Sequence, residues 1–333
     1  MLKGHQTWIF ENRPVLHSCA AIGGPFEAAG PLSADFDLLH EDIWLGQNSF
    51  EKAEKRFLEE ACEFAIRKGG LKKEDINVFL SGDLMNQIIS SSFAARTIGV
   101  PFLGLFGACS SSMESLAVAS ALVNGKFAKY ALAAASSHNA AAEKQFRYPT
   151  EYGAQKPPTA QWTVTGAGAA VVTDSGDGPY ITSATVGRVV DMGISDPFNM
   201  GGAMAPAAVD TIQAHFRDLN RGLDYYDMIA TGDLGKVGHR IATDLLTEHG
   251  LKINEDIFTD CGLLIYGDNK QVFAGGSGCA CSATVTYGHI MNRVKKGELK
   301  KILIVATGAL LSPMSYQQKE SIPCIAHAVS IEA

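Results

Sequence analysis

The chain repeats itself, and this constrains its fold more than any other feature of the sequence. A shift of 172 residues lays "GACSSS" on "CACSAT", so that Cys109 meets Cys281 and Ser110 meets Ser282. The same shift lays Gly125 on Gly297, Lys129 on Lys301 and "YALAAA" on "ILIVAT". Upstream, a shift of 150 sets "FLSGDLMN" beside "MIATGDLGK" and places Asp83 on Asp233. Two matches in the same chain order point to a duplicated unit of strand–helix–strand–helix–strand. We therefore expect an α/β fold of two similar halves, residues 1–175 and 176–333, related by a pseudo-twofold axis. Ligands in such folds collect at strand ends and helix starts, where the halves meet.

The local pattern agrees with that class. From Ser49, the residues Phe50, Ala53, Phe57, Ala61 and Phe64 recur every three or four positions, and Gly69 and Gly70 close the run as a helix end. "INVFLSGD" reads as a short buried strand, with a helix after it over roughly 87–99. "YALAAAS" and "KILIVATG" are nearly continuous apolar runs, as strands covered on both faces require. The stretch from Asn139 to Gln161 is polar, aromatic and proline-bearing, and reads as a long excursion of the first half: a lid or dimer-contact loop, or an exposed connector.

Composition narrows the function classes. The net charge of −7 argues against general nucleic-acid binding, since there is no basic excess to meet phosphates. No apolar run is long enough to span a bilayer, and no basic segment followed by an apolar core opens the sequence, so any membrane association is expected to be peripheral. Seven scattered cysteines (Cys19, Cys62, Cys109, Cys261, Cys279, Cys281 and Cys324) read as reduced thiols rather than a disulfide framework. Cys279 and Cys281 are not at the usual zinc spacing, and "GGSGC" lacks the lysine of a phosphate loop.

Cys109 is the residue with most chemical promise. Ser110, Ser111 and Ser112 are candidate helix N-caps, followed by Met113, Leu116 and Ala117 in helical rhythm and closed by Gly125. A cysteine at that turn sits near the positive end of a helix, which favours thiolate. Taken alone, it reads more readily as a small core residue.

These residues carry a resemblance. "GACSSSMESLAVASALVNGKFAKYALAAAS", "VTGAGAAVVTD" and "GGSGCACSATVTYGHIMNRVKKGELKKILIVATGALLS" resemble, in order, the nucleophile region, the glycine-rich strand and the C-terminal strand–helix–strand of the thiolase-fold enzymes, closest to the type III β-ketoacyl-carrier-protein synthases. The resemblance implies α-β-α-β-α layers and a homodimer. It also implies a histidine and an asparagine beside the nucleophile. At the matching positions this chain has Gly232, in "TGDLGKVGHRI", and Ser277, in "GSGCACS". His239 and His289 fall inside the following helices. Losing one oxyanion donor lowers the rate about 10²–10³-fold. A degenerate enzyme is therefore expected, with an acyl transferase using Cys109 as the alternative.

"FENRPVLHSCAAIGGPFEAAGPL" and "SGDLMNQIISSSFAARTIGVPFLGLFGACSSSME" further resemble a sporulation branch of that fold. What this second resemblance implies is binding of dipicolinic acid (pyridine-2,6-dicarboxylate), alone or as its calcium chelate, for uptake into the developing spore and release at germination. It also implies partners in a sporulation membrane complex, and a place peripheral to the inner spore membrane. No cofactor is expected beyond calcium carried with the ligand. The expected ligand-binding set is Cys109, Ser110, Met113, Asp83, Ser136, His138, Asp233, Ser277 and Ser282. In it, helix-start N–H groups and hydroxyls at Ser110–Ser112 and Ser282 would meet carboxylates, and Met113 would pack on the ring. Asp83 and Asp233 would face a ligand-bound calcium, or else act as turn residues. His138 would pair with a carboxylate or make a structural hydrogen bond. Arg147 and Lys144 would supply charge to an entering anion or be solvated loop residues.

Overall fold

The computed structural model describes residues 1–146 and 156–333. Arg147 lies outside the described residues.

The first half contains β1 (Val15–Gly23), α1 (Phe50–Lys68), β2 (Val78–Gly82), α2 (Ile89–Ile98), β3 (Phe102–Gly104), α3 (Ser111–Asn124), β4 (Tyr130–Ser137) and β5 (Gly166–Thr173). The second half repeats the series as β6 (Tyr180–Thr185), α4 (Met200–Leu219), β7 (Met228–Thr231), α5 (Gly235–Glu248), β8 (Phe258–Asp260), α6 (Cys279–Thr284), β9 (Lys301–Ala309) and β10 (Cys324–Glu332). The helix of α6 continues through Val285–Ile290 and Met291–Lys295. The strand order is β8-β7-β9-β10-β6-β1-β5-β4-β2-β3, a palindrome in which the same five-strand order runs outward twice. In each half the inner pairing is antiparallel, β4 with β5 and β9 with β10. The outer pairings are parallel, β2 with β4 and β7 with β9. The halves join where Tyr180 pairs Val15.

Strand side chains alternate between two cores. Leu132 and Ala134 of β4 pack with Phe57, Ala61 and Phe79 under α1, whereas Ala131, Ala133 and Ala135 face Met113, Leu116 and Val123 of α3. In β9, Leu303 and Val305 face α4, while Ile302, Ile304 and Ala306 face the shared centre. Helices α3 and α6 thus lie between the two sheet halves, with α1 and α4 outside, giving five α-β-α-β-α layers. This explains the unbroken apolar strands: neither face meets water.

Helix ends follow the sequence with local differences. Ser49 caps α1, its side chain accepting from Lys52 N–H at 3.3 Å. Helix α2 begins at Ile89, two residues later than its sequence pattern suggests, because Gln87 and Ile88 adopt left-handed φ of 52° and 48°. Asn139–Phe146, expected within the irregular excursion, is helical. Among the described residues no helix is long and apolar enough to cross a membrane.

Candidate binding site

The two matched strand ends, after β2 and β7, and the two matched helix starts, of α3 and α6, converge at the centre of the molecule. The turn into α3 is tight. Ala108 takes a left-handed φ of 50°. The Ser111 hydroxyl accepts from Gly107 N–H at 3.1 Å and donates to the Ala108 carbonyl at 2.8 Å. The second half presses on this turn, since a Cβ on Gly308 would lie 2.1 Å from the Gly107 carbonyl.

Cys109, only 8% exposed, lines a small apolar cavity of about 40 Å³ with Leu84, Phe106, Met200, Ser277 and Leu311. Leu84, Phe106, Phe146 and Leu311 also line an outer cleft of about 310 Å³. Neither is lined by a charged side chain among the described residues. A third hollow shares Met85–Gln87 and Gln145 with the cleft and adds Glu51, Lys52 and Lys55. The inner cavity alone has room for a water or two.

Behind Cys109 lies Asp233, 1% exposed. Its Oδ1 accepts from the Thr307 hydroxyl at 2.6 Å and its Oδ2 from Gly278 N–H at 3.0 Å. Its carboxyl is also within hydrogen-bonding reach of the Cys109 thiol. Burial raises Asp233 to about 7, against the pull of Thr307 and Gly278. Burial, Asp233 and Cys279 together push the Cys109 thiol well above its ordinary range. The thiolate expected from the helix start is thus corrected: desolvation and an acidic neighbour outweigh the dipole.

Gly232 has no space for a larger side chain. A Cβ there would stand 2.8 Å from Thr307 N and 3.0 Å from Ala306 Cα, both backbone atoms. His239 stacks on Phe258 with ring centroids 4.5 Å apart, and His289 pairs with Asp35 at 2.6 Å. Both are packing or paired residues away from the cysteine.

Of the expected set, Cys109 and Ser277 line the cavity, and Asp233 stands directly behind it. Other members are engaged elsewhere. The Ser110 hydroxyl donates to the Gly107 carbonyl at 2.6 Å instead of capping the helix. Ser112 and Ser282 hydrogen-bond each other at 2.6 Å. Met113 is wholly buried in the central core and does not line the cavity. Asp83 accepts from Met85 N–H and Ser91 N–H at 2.8 and 2.7 Å, the bonds of a turn residue, and burial raises it to about 6. Ser136 donates to Glu54, and His138 Nε2 meets the Ile43 carbonyl at 2.9 Å. Lys144 pairs with Glu51 at 2.7 Å. No group of three His, Cys, Asp or Glu side chains suited to a metal occurs among the described residues.

Sequence reasoning missed most of the lining. Leu84 was within reach, since it follows Asp83 in the strand-end echo. Met200 and Leu311 carry no local signal; they arrive from α4 and from the loop after β9.

A family model described as Stage V sporulation protein AD (SpoVAD) matches residues 4–332. The chain belongs to this family. Stage V sporulation protein AD of Bacillus subtilis (strain 168) is 56% identical over 331 residues, 99% of this chain and 98% of that protein. Family membership gives the chain a role in sporulation. Solved thiolase-fold enzymes share its fold at low identity. The 3-oxoacyl-[acyl-carrier-protein] synthase III of Aquifex aeolicus VF5 aligns with TM-score 0.59 at 14% identity, covering 96% of this chain and 100% of its own. A variant of OleA from Xanthomonas campestris aligns with TM-score 0.64 at 12% identity, covering 98% of both chains.

Proposed function

We propose that the protein binds pyridine-2,6-dicarboxylate at the Cys109 cavity without transforming it, serving its uptake into the developing spore and its release at germination. The observation that carries the non-catalytic reading is a Gly232 that leaves no space for a histidine, beside a buried Cys109 whose thiol burial and Asp233 push well above its ordinary range. A thiol so held is a poor nucleophile, and Asp233, when ionised, opposes a developing oxyanion. The ligand itself follows from the resemblance to sporulation proteins. The largely apolar lining suits an aromatic ring. The ring would lie in the outer cleft, with one carboxyl end reaching toward Cys109 and Ser277.

The uncharged lining bears on calcium. A bare dianion would enter a site with no cation among its described lining residues to offset its lost hydration, whereas a one-to-one calcium chelate carries no net charge. Binding as the chelate is therefore favoured. A homodimer is part of the proposal. Strand β3 is one outer edge of the sheet, and Leu103 within it and Phe106 just after it are 45% and 50% exposed, as a strand awaiting a partner would be. Further partners belong to a sporulation membrane complex, with the protein peripheral to the inner spore membrane.

The test is calorimetric titration with dipicolinate, with and without calcium, against the mono-acid picolinate, on the native protein and on Cys109→Phe. Saturable binding of the diacid, lost when the phenyl ring fills the cavity of a folded variant, supports the reading. Absence of heat in every condition rejects it. Turnover of an acyl thioester with transient acylation of Cys109 would establish the transferase alternative instead.

A further inference from the structure

We propose that Asp233 makes ligand binding proton-linked: a carboxylate of the ligand, free or in its calcium chelate, is held tightly only while Asp233 carries a proton, and Cys109 transmits that state to the cavity. The inference rests on the binding reading above and assigns its regulation.

Asp233 does not line the cavity; the lining residue whose side chain it meets is Cys109. The donor count makes that link directional. Thr307 O–H and Gly278 N–H both donate to Asp233. When the carboxyl is ionised it also draws the thiol hydrogen, and the sulfur turns its lone pairs to the cavity. A ligand carboxylate then meets lone pairs in front and a negative charge behind, with no cation among the described lining residues. When Asp233 is protonated, its O–H donates to the sulfur or to Thr307 Oγ1, and the thiol hydrogen is free to turn toward a ligand oxygen. One solvent proton is taken up, and no covalent bond changes elsewhere.

The groups facing Asp233 are Thr307 from β9, Cys109 at the start of α3, and Cys279 and Cys281 at the start of α6. Asp260 and Cys261 at the end of β8, and Cys324 of β10, complete the surroundings. Asp260 is itself buried, accepts from Thr231, Leu234, Gly235 and Leu263, and interacts with His239. Any charge on Asp260 opposes a second charge on Asp233, which favours the protonated state. The value of about 7 for Asp233 agrees with this geometry.

The experiment is calorimetric titration with dipicolinate, with and without equimolar calcium, between pH 5.5 and 8.5, in pairs of buffers that differ in ionisation enthalpy. The ligand's carboxyls ordinarily titrate below this window. Expected is an uptake approaching one proton per ligand at pH 8 that vanishes near pH 5.5, with affinity falling toward tenfold per pH unit above about pH 7. Asp233→Asn should abolish the uptake and flatten the profile, while Glu114→Gln should leave both unchanged. If Asp233→Asn does not fold, Thr307→Val serves, because loss of its hydroxyl raises Asp233 and shifts the midpoint upward. Binding without proton uptake, uptake that persists in Asp233→Asn, or a midpoint unmoved by Thr307→Val overturns the linkage and leaves the binding function standing. No binding at any pH overturns both.

Discussion

The hydroxyls of Ser112 and Ser282 meet at 2.6 Å at the centre of the molecule, each in the first turn of a helix that the sequence repeat makes equivalent to the other. The contact joins residues 170 positions apart and shows that the two halves meet helix start to helix start. It also occupies the hydroxyls that the sequence alone would offer to a ligand.

Replacing either serine leaves the other hydroxyl buried without its partner. Ser112→Ala and Ser282→Ala should each lower stability by about 1–3 kcal/mol. The double variant should lose clearly less than the sum. Denaturant unfolding of the three variants measures this coupling, and strict additivity would show that the contact contributes nothing specific.

Gly232→His should not restore catalysis. Its Cβ would meet Thr307 N at 2.8 Å and Ala306 Cα at 3.0 Å, so β9 must shift before an imidazole can be placed. A loss of about 1–3 kcal/mol in stability and no acyl-thioester turnover are expected, read by thermal unfolding and a thiol-release assay.

Cys109 should label slowly. With its thiol well above the ordinary range, alkylation by iodoacetamide at pH 7 should run far below the rate of a free cysteine. Asp233→Asn removes a group that raises the thiol, and should speed labelling of Cys109 at pH 8, as peptide mass spectrometry would record. Labelling of the native protein as fast as free cysteine would contradict the protonated state.

Asp233 also imposes a pH dependence on stability. Its folded value is raised from 3.8 to about 7. The folded protein therefore holds the proton more tightly than the unfolded chain, and this stabilising contribution is fully present below about pH 4. It is lost as pH rises through about 7, with an upper bound on the order of 4 kcal/mol. Relative to Asp233→Asn, the native protein should lose stability between pH 4 and 7 and change little above. Parallel unfolding curves of the two proteins across that range would remove Asp233 as the cause.

Much of this molecule is written in local pattern. The repeat of "GACSSS" with "CACSAT" and of "SGD" with "TGD" specified two like halves, and the palindromic strand order carries them out. The runs in β4 and β9 specified strands covered on both faces, because an apolar residue at every position is compatible only with two cores. Gly232 and Ser277, standing where the resemblance calls for histidine and asparagine, point away from catalysis in the sequence alone. The tertiary structure decided what those residues do. A serine at a helix start can cap, meet a ligand or meet another serine; here Ser110 turns back to Gly107 and Ser112 finds Ser282. The helix start favoured a thiolate at Cys109, but burial and Asp233, 124 positions away in the chain, reversed it. The lining is likewise completed by Met200 and Leu311, which carry no local signal. Periodicity records whether a side chain is buried, since burial repeats along an element. Hydrogen-bond partners and local charge depend on which distant segments are brought together, and only packing of the two halves fixes that.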